Sequence, residues 1–118
     1  MPKIAVVVLA DTESHGDMGR VANALELAKE AREKNDAVTL VFDGAGTKWV
    51  PALHDPSSKL APLYNAVRDT VAGACAFCSV AFGVKEEVEQ AGVPLLSEYD
   101  DHPSLRKLLA DGYHVVTF

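Results

Sequence analysis

Two segments of the chain are apolar without alternation. Lys3–Leu9 reads Lys-Ile-Ala-Val-Val-Val-Leu, and Ala37–Phe42 reads Ala-Val-Thr-Leu-Val-Phe. A strand with one wet face alternates apolar and polar side chains, whereas a strand covered on both faces does not. Runs of this kind call for a parallel sheet enclosed by helices. Three further apolar stretches, Ala74–Phe77, Pro94–Leu96 and Tyr113–Phe118, read as additional strands and bring the expected total to five.

Helical periodicity fills the intervals. Val21, Ala24, Leu25 and Ala28 fall at i, i+3, i+4 and i+7 within about Met18–Lys34. Leu60, Leu63, Tyr64, Val67 and Val71 repeat the pattern, with Ser57 or Ser58 as a cap. Glu86–Ala91 is a short helix stopped by Gly92 and Pro94. Pro103 suits the first position of a last helix, which carries Leu105, Leu108 and Leu109 and ends at Gly112. Alternating strands and helices predict an α/β fold: a three-layer α/β/α sandwich around a five-stranded, mostly parallel sheet. At 118 residues the chain makes one domain, residues 1–118, with no repeat or linker. Asp43 to Pro56 reads as one long irregular stretch, and long loops in small domains are often functional.

Charge and hydropathy exclude several classes of function. Lys and Arg total 11 against 17 Asp and Glu, a net charge of -6, which argues against general affinity for nucleic acid. No apolar run approaches the ~18 residues of a membrane-spanning helix. The apolar run after Lys3 is followed at once by Asp11, Glu13 and Asp17, so it reads as a buried strand and not as a secretion signal. Two cysteines three positions apart are no disulfide framework, and a reducing cytoplasm is the expected location.

In open parallel sheets, ligands bind beyond the carboxyl ends of the strands. Asp11 and His15 follow the first expected strand. Asp43, Trp49 and His54 follow the second, Cys75 and Cys78 close the third, and Glu98, Asp101 and His102 follow the fourth. Cys75 and Cys78 are the candidate catalytic pair, and His15, Asp43, Trp49, His54 and His102 are the candidate binding residues. A thiol at the start of a helix has its thiolate stabilised by free N–H groups and becomes a nucleophile. Free cysteine is also among the most buried residue types. Spacing alone leaves both readings open.

A zinc site using both cysteines and two of His15, His54 and His102 would want its histidines paired at short spacing too, whereas they are scattered singly, and no metal is assigned. A thioredoxin-type dithiol would want a long amphipathic helix after the pair, and here the segment after Cys78 is short. Gly44-Ala45-Gly46-Thr47 has the spacing of neither common phosphate loop, so no cofactor is expected. Glu98-Tyr99-Asp100-Asp101 reads as a solvated approach to the last helix.

Taken together, the opening strand Ile4–Leu9, Phe42-Asp43-Gly44, Cys75 eight residues before Gly83, and Ala91-Gly92-Val93-Pro94-Leu95-Leu96 resemble the DsrE/DsrF-like family, with its TusD- and YchN-type sulfur-relay proteins. The resemblance covers nearly the whole chain. It implies the five-stranded fold, assembly into homo-trimers or homo-hexamers, and persulfide chemistry at Cys75, with protein sulfur donors and acceptors as partners. Cys78 matches a variant with a second cysteine. Many members carry a basic residue just before the glycine, and here it is Phe82. The competing expectation is a non-enzymatic module of the same fold. It would bind a small ligand or assemble through the strand-end cleft around Trp49 and His54, with the cysteines structural.

Overall fold

β1 (Lys3–Val8) and β2 (Ala37–Phe42) lie side by side and parallel in the computed structural model, which describes residues 1–118. β3 (Val71–Cys75) and β4 (Leu95–Leu96) extend the sheet beyond β2, and β5 (His114–Thr117) pairs with the free edge of β1. The order is β4-β3-β2-β1-β5, and every pairing is parallel. The expected three-layer architecture is present, with helices on both faces of the sheet.

One face holds most of the core. Val6, Val8, Leu40, Phe42 and Ala74 point into it and meet α1 (His15–Glu33), α2 (Trp49–His54), α3 (Ala61–Asn65) and the region of α5 (Lys85–Gln90). α1 presents Val21, Ala24, Leu25, Ala28 and Ala31 to the sheet, all buried. It starts at His15, three residues before the periodicity suggests, because the Ser14 hydroxyl accepts the Asp17 N–H at 3.1 Å and Asp17 favours the positive helix end. Burying each such valine or leucine stabilises the fold by about 1.5–3 kcal/mol. Residues of the opposite parity, Ala5, Val7, Val41 and Cys75, are buried on the other face. There α6 (Leu105–Ala110) and the segment before it supply the cover, leaving a cavity of about 150 Å³ lined in part by Val41, Leu96, Pro103 and Leu108.

Four local expectations change. The third strand spans Val71–Cys75, not Ala74–Phe77, and Ala76–Ala81 forms helix α4. A short run that is apolar on all sides does not distinguish strand from helix. Val71 therefore belongs to β3, and the helix before it is only Ala61–Asn65. The stretch from Asp43 is not irregular: Gly44–Lys48 is a 3₁₀ turn and Trp49–His54 is α2, whose Trp49, Val50 and Leu53 are buried. Pro51 is tolerated there because it sits in the first turn, where no backbone donor is lost. Pro103 lies before the last helix, which is capped by Ser104 accepting from the Lys107 N–H at 3.1 Å. No helix is long and apolar enough to cross a membrane.

Candidate functional site

The register of the sheet assembles the site. Phe42 of β2 stands opposite Ala74 of β3, so the next residues along each strand, Asp43 and Cys75, emerge side by side. Cys75 in turn pairs with Leu96 of β4. Three neighbouring strands thus deliver a carboxylate, a thiol and a loop to one point at their carboxyl ends.

Asp43 is held by its own turn. Its carboxylate accepts the Gly44 N–H at 2.8 Å and caps the 3₁₀ segment. Gly46 allows that turn to sit on the end of β1, because a methyl group there would overlap the Val8 carbonyl. Cys75 ends β3 and caps α4: its Sγ accepts the Cys78 N–H at 3.3 Å. Cys78, one turn on, directs its thiol to the Asp43 Oδ1 at 3.6 Å.

The fourth member comes from the turn Tyr99–His102. Tyr99 and His102 exchange backbone hydrogen bonds of 2.9 and 2.7 Å, and both central residues, Asp100 and Asp101, have positive φ. This is a tight turn of the I′ kind, which aspartate tolerates better than most residues. The acidic run is therefore a turn, not a solvated approach to a helix. The Phe77 N–H donates to the Asp101 carbonyl at 2.8 Å, and the Phe77 ring stacks on His102 with centroids 4.9 Å apart. The turn so anchored sets the His102 Nδ1 3.2 Å from the Cys75 Sγ. The Cys75 thiol donates toward the Asp101 carbonyl at 3.8 Å, and in the tautomer protonated at Nε2 the His102 Nδ1 is a second acceptor for its proton.

Cys75 has no exposed surface, and Cys78 is buried. Burial pushes the Cys75 thiol up from an ordinary 9.0 to about 12. The Cys78 N–H opposes that rise, while the Cys78 thiol and the Asp43 charge add to it. Ionisation of Cys75 therefore needs an acceptor for its proton, and His102 is within reach. The side-chain donors of Asp43, Cys75, Cys78 and His102 all lie within 4.8 Å of one another.

The structure brings together four of the seven residues singled out by sequence. His54 is elsewhere: its Nε2 is 3.0 Å from the Tyr64 hydroxyl, and its Nδ1 is 3.4 Å from Arg68. His15 is exposed and borders an open recess of about 390 Å³ with Thr12, Glu13, Ser14, Met18 and Trp49. Trp49 is mostly core, and its indole N–H donates to the Asp11 carbonyl at 2.9 Å. Lys48 reaches over this region to Asp11 at 2.7 Å and Glu13 at 3.0 Å. A pair of histidines for the cysteines is thus not assembled. Only His102 joins them, and Asp43 takes the remaining place. The role of Tyr99–Asp101 in presenting His102 is not apparent from their sequence alone, although two aspartates in succession before a histidine are a turn signal.

The model of the DsrE/DsrF-like family matches residues 5–118. An uncharacterised protein of Methanocaldococcus jannaschii is 29% identical over 100 residues, which is 85% of this chain and 81% of that one. The solved structure of a conserved protein of unknown function from Bacteroides thetaiotaomicron superposes with a TM-score of 0.66 at 16% identity. That alignment covers 97% of this chain and 94% of the other, and it bears on the fold.

Proposed function

The chain belongs to the DsrE/DsrF-like family, and from that membership we propose that it is a sulfur-relay component that carries sulfane sulfur as a persulfide on Cys75. The observation that carries this reading is the contact between the Cys75 Sγ and the His102 Nδ1 at 3.2 Å. A thiol is a poor nucleophile and its thiolate a good one. His102 takes the Cys75 proton as the sulfur attacks the terminal sulfur of a donor persulfide. The new S–S bond forms on Cys75, the donor's S–S bond breaks, and the departing donor thiolate takes the proton back from His102. No net oxidation occurs.

Delivery has two routes. An acceptor thiolate can take the terminal sulfur and leave the Cys75 thiol. Alternatively Cys78 attacks the Cys75 sulfur, forms the disulfide and releases hydrosulfide. Because Cys75 is fully buried, loading requires a local opening that leaves His102 beside the sulfur. Phe77, Val80 and Phe82 leave large apolar surfaces exposed on and beside α4, which supports a protein as the partner there. Assembly with further copies, as trimer or hexamer, and a place in the cytoplasm belong to the same proposal.

One observation favours a second reading. A thiol held near 12 by burial is what a structural cysteine shows. The molecule would then be a binding or assembly module, with the recess beside Trp49 as its ligand site. Intact mass after exposure to a persulfide donor separates the two. One added sulfur that survives in Cys78→Ser and disappears in Cys75→Ser is the expected result. A folded, reduced protein that gains no sulfur overturns the carrier reading.

A further inference from the structure

We propose that Asp43, Cys75, Cys78 and His102 form a binding site for one zinc-type divalent ion. Zinc binds sulfur at about 2.3 Å and nitrogen or oxygen at about 2.0–2.2 Å, so tetrahedral coordination separates neighbouring donors by roughly 3.3–3.8 Å. The structure has two such edges already close to that range. Cys75 Sγ and His102 Nδ1 are 3.2 Å apart, and Cys78 Sγ and Asp43 Oδ1 are 3.6 Å apart. No edge among the four donors exceeds 4.8 Å, so closing on a metal takes shifts of an ångström or less.

The donor types choose the metal class. Two thiolates with one imidazole and one carboxylate suit Zn2+, whereas Mg2+ and Ca2+ want an all-oxygen shell. Outer groups of the kind that orient metal ligands are also in place. The Gly44 N–H holds the Asp43 carboxylate at 2.8 Å, and the Cys78 N–H points at the Cys75 sulfur at 3.3 Å. The His102 ring is stacked on Phe77 and its turn is tied to the Phe77 N–H.

The four ligands come from four places: the end of β2, the end of β3, α4 and the turn after β4. Binding replaces the two thiol protons by one metal ion and ties three strand ends together. The four donors are placed for a metal whether or not the protein relays sulfur. Its consequence for sulfur loading does rest on the carrier reading: a metal-bound Cys75 sulfur is unavailable for attack, so occupancy by metal and by sulfane sulfur exclude each other.

The test uses the reduced, chelator-stripped full chain under nitrogen, with Co2+ as the spectroscopic probe. One equivalent per chain is expected to give thiolate-to-cobalt charge-transfer absorption with tetrahedral d–d bands. Added Zn2+ should abolish both. His102→Ala and Asp43→Ala should weaken Zn2+ binding by more than the roughly 10–100-fold that loss of an outer-shell partner costs. Asp43→Asn, which keeps an oxygen for the Gly44 cap, replaces the alanine variant if that one does not fold. His114→Ala, on the exposed side of β5, should leave affinity unchanged. A folded protein without the charge-transfer band, or metal binding that survives loss of both cysteines, overturns the proposal. Sulfur loading is measured separately on the metal-free protein, so the two readings fail independently.

Discussion

The His102 Nδ1 stands 3.2 Å from the Cys75 Sγ, across 27 positions of chain. Cys75 is not exposed enough to behave as it would in water. Cys75 is fully buried beside a carboxylate, and His102 is half-buried against Phe77. On the carrier reading, the contact gives a thiol that resists ionisation an acceptor for its proton.

Alkylation of the metal-free, reduced protein reads this directly. With the Cys75 thiol pushed up to about 12, the rate at Cys75 should be slow at pH 7 and rise about tenfold per pH unit through the alkaline range. Asp43→Asn removes a negative charge that raises the thiol and should speed the reaction near neutrality. His102→Ala removes the proton acceptor and should slow persulfide formation at pH 7 while sparing alkylation at high pH. Site-resolved mass spectrometry across pH measures both. A rate that is flat from pH 7 to 9 would contradict the buried, protonated thiol.

Two glycines should respond in opposite directions to the same substitution. Gly46→Ala forces a methyl group against the Val8 carbonyl and should cost about 1–3 kcal/mol, with displacement of Asp43 and loss of sulfur loading. Gly19→Ala meets nothing within 4 Å on the exposed side of α1 and should stabilise by about 0.5–1 kcal/mol. Denaturant unfolding of both variants checks the pair.

His54 gives the fold an acid-sensitive point away from the cysteines. Burial, and then the nearby Arg68 charge, hold its imidazole below the ordinary 6.5. The folded state therefore prefers the neutral ring. Its contribution to stability is present above pH 6.5 and is lost as pH falls through the lower, folded-state value. His54→Gln, which keeps a hydrogen-bonding group for the Tyr64 hydroxyl, should flatten the acid side of the stability profile. Equal slopes for the two proteins between pH 7 and 5 would refute this.

Much of the architecture was legible in the chain because its cause is local. The unbroken apolar runs of β1 and β2 and the spacing of Val21, Ala24, Leu25 and Ala28 record burial residue by residue, and burial is what periodicity reports. The boundary between β3 and α4 was less legible. Ala74 to Ala81 is apolar throughout but for Ser79, and only the sheet register and the Cys75 cap separate strand from helix there. α2 was hidden because the stretch from Asp43 carries Gly44 and Gly46, and only the fold shows them in a 3₁₀ turn that leads into a helix.

The sequence by itself determined the presence of a parallel sheet and its helical cover, and it placed Cys75 in the region of the third strand. Which of three scattered histidines meets the cysteines was decided by the tertiary structure alone. His15, His54 and His102 are equivalent as residues after strands. Strand order places β4, and not β1, next to β3, and a turn with two left-handed aspartates then aims His102 at the sulfur. Asp43 joined for a similar reason: it stands one residue beyond Phe42, and Phe42 happens to face Ala74. Local patterns encode burial, but long-range adjacency depends on register and strand order, and no short stretch of chain carries those.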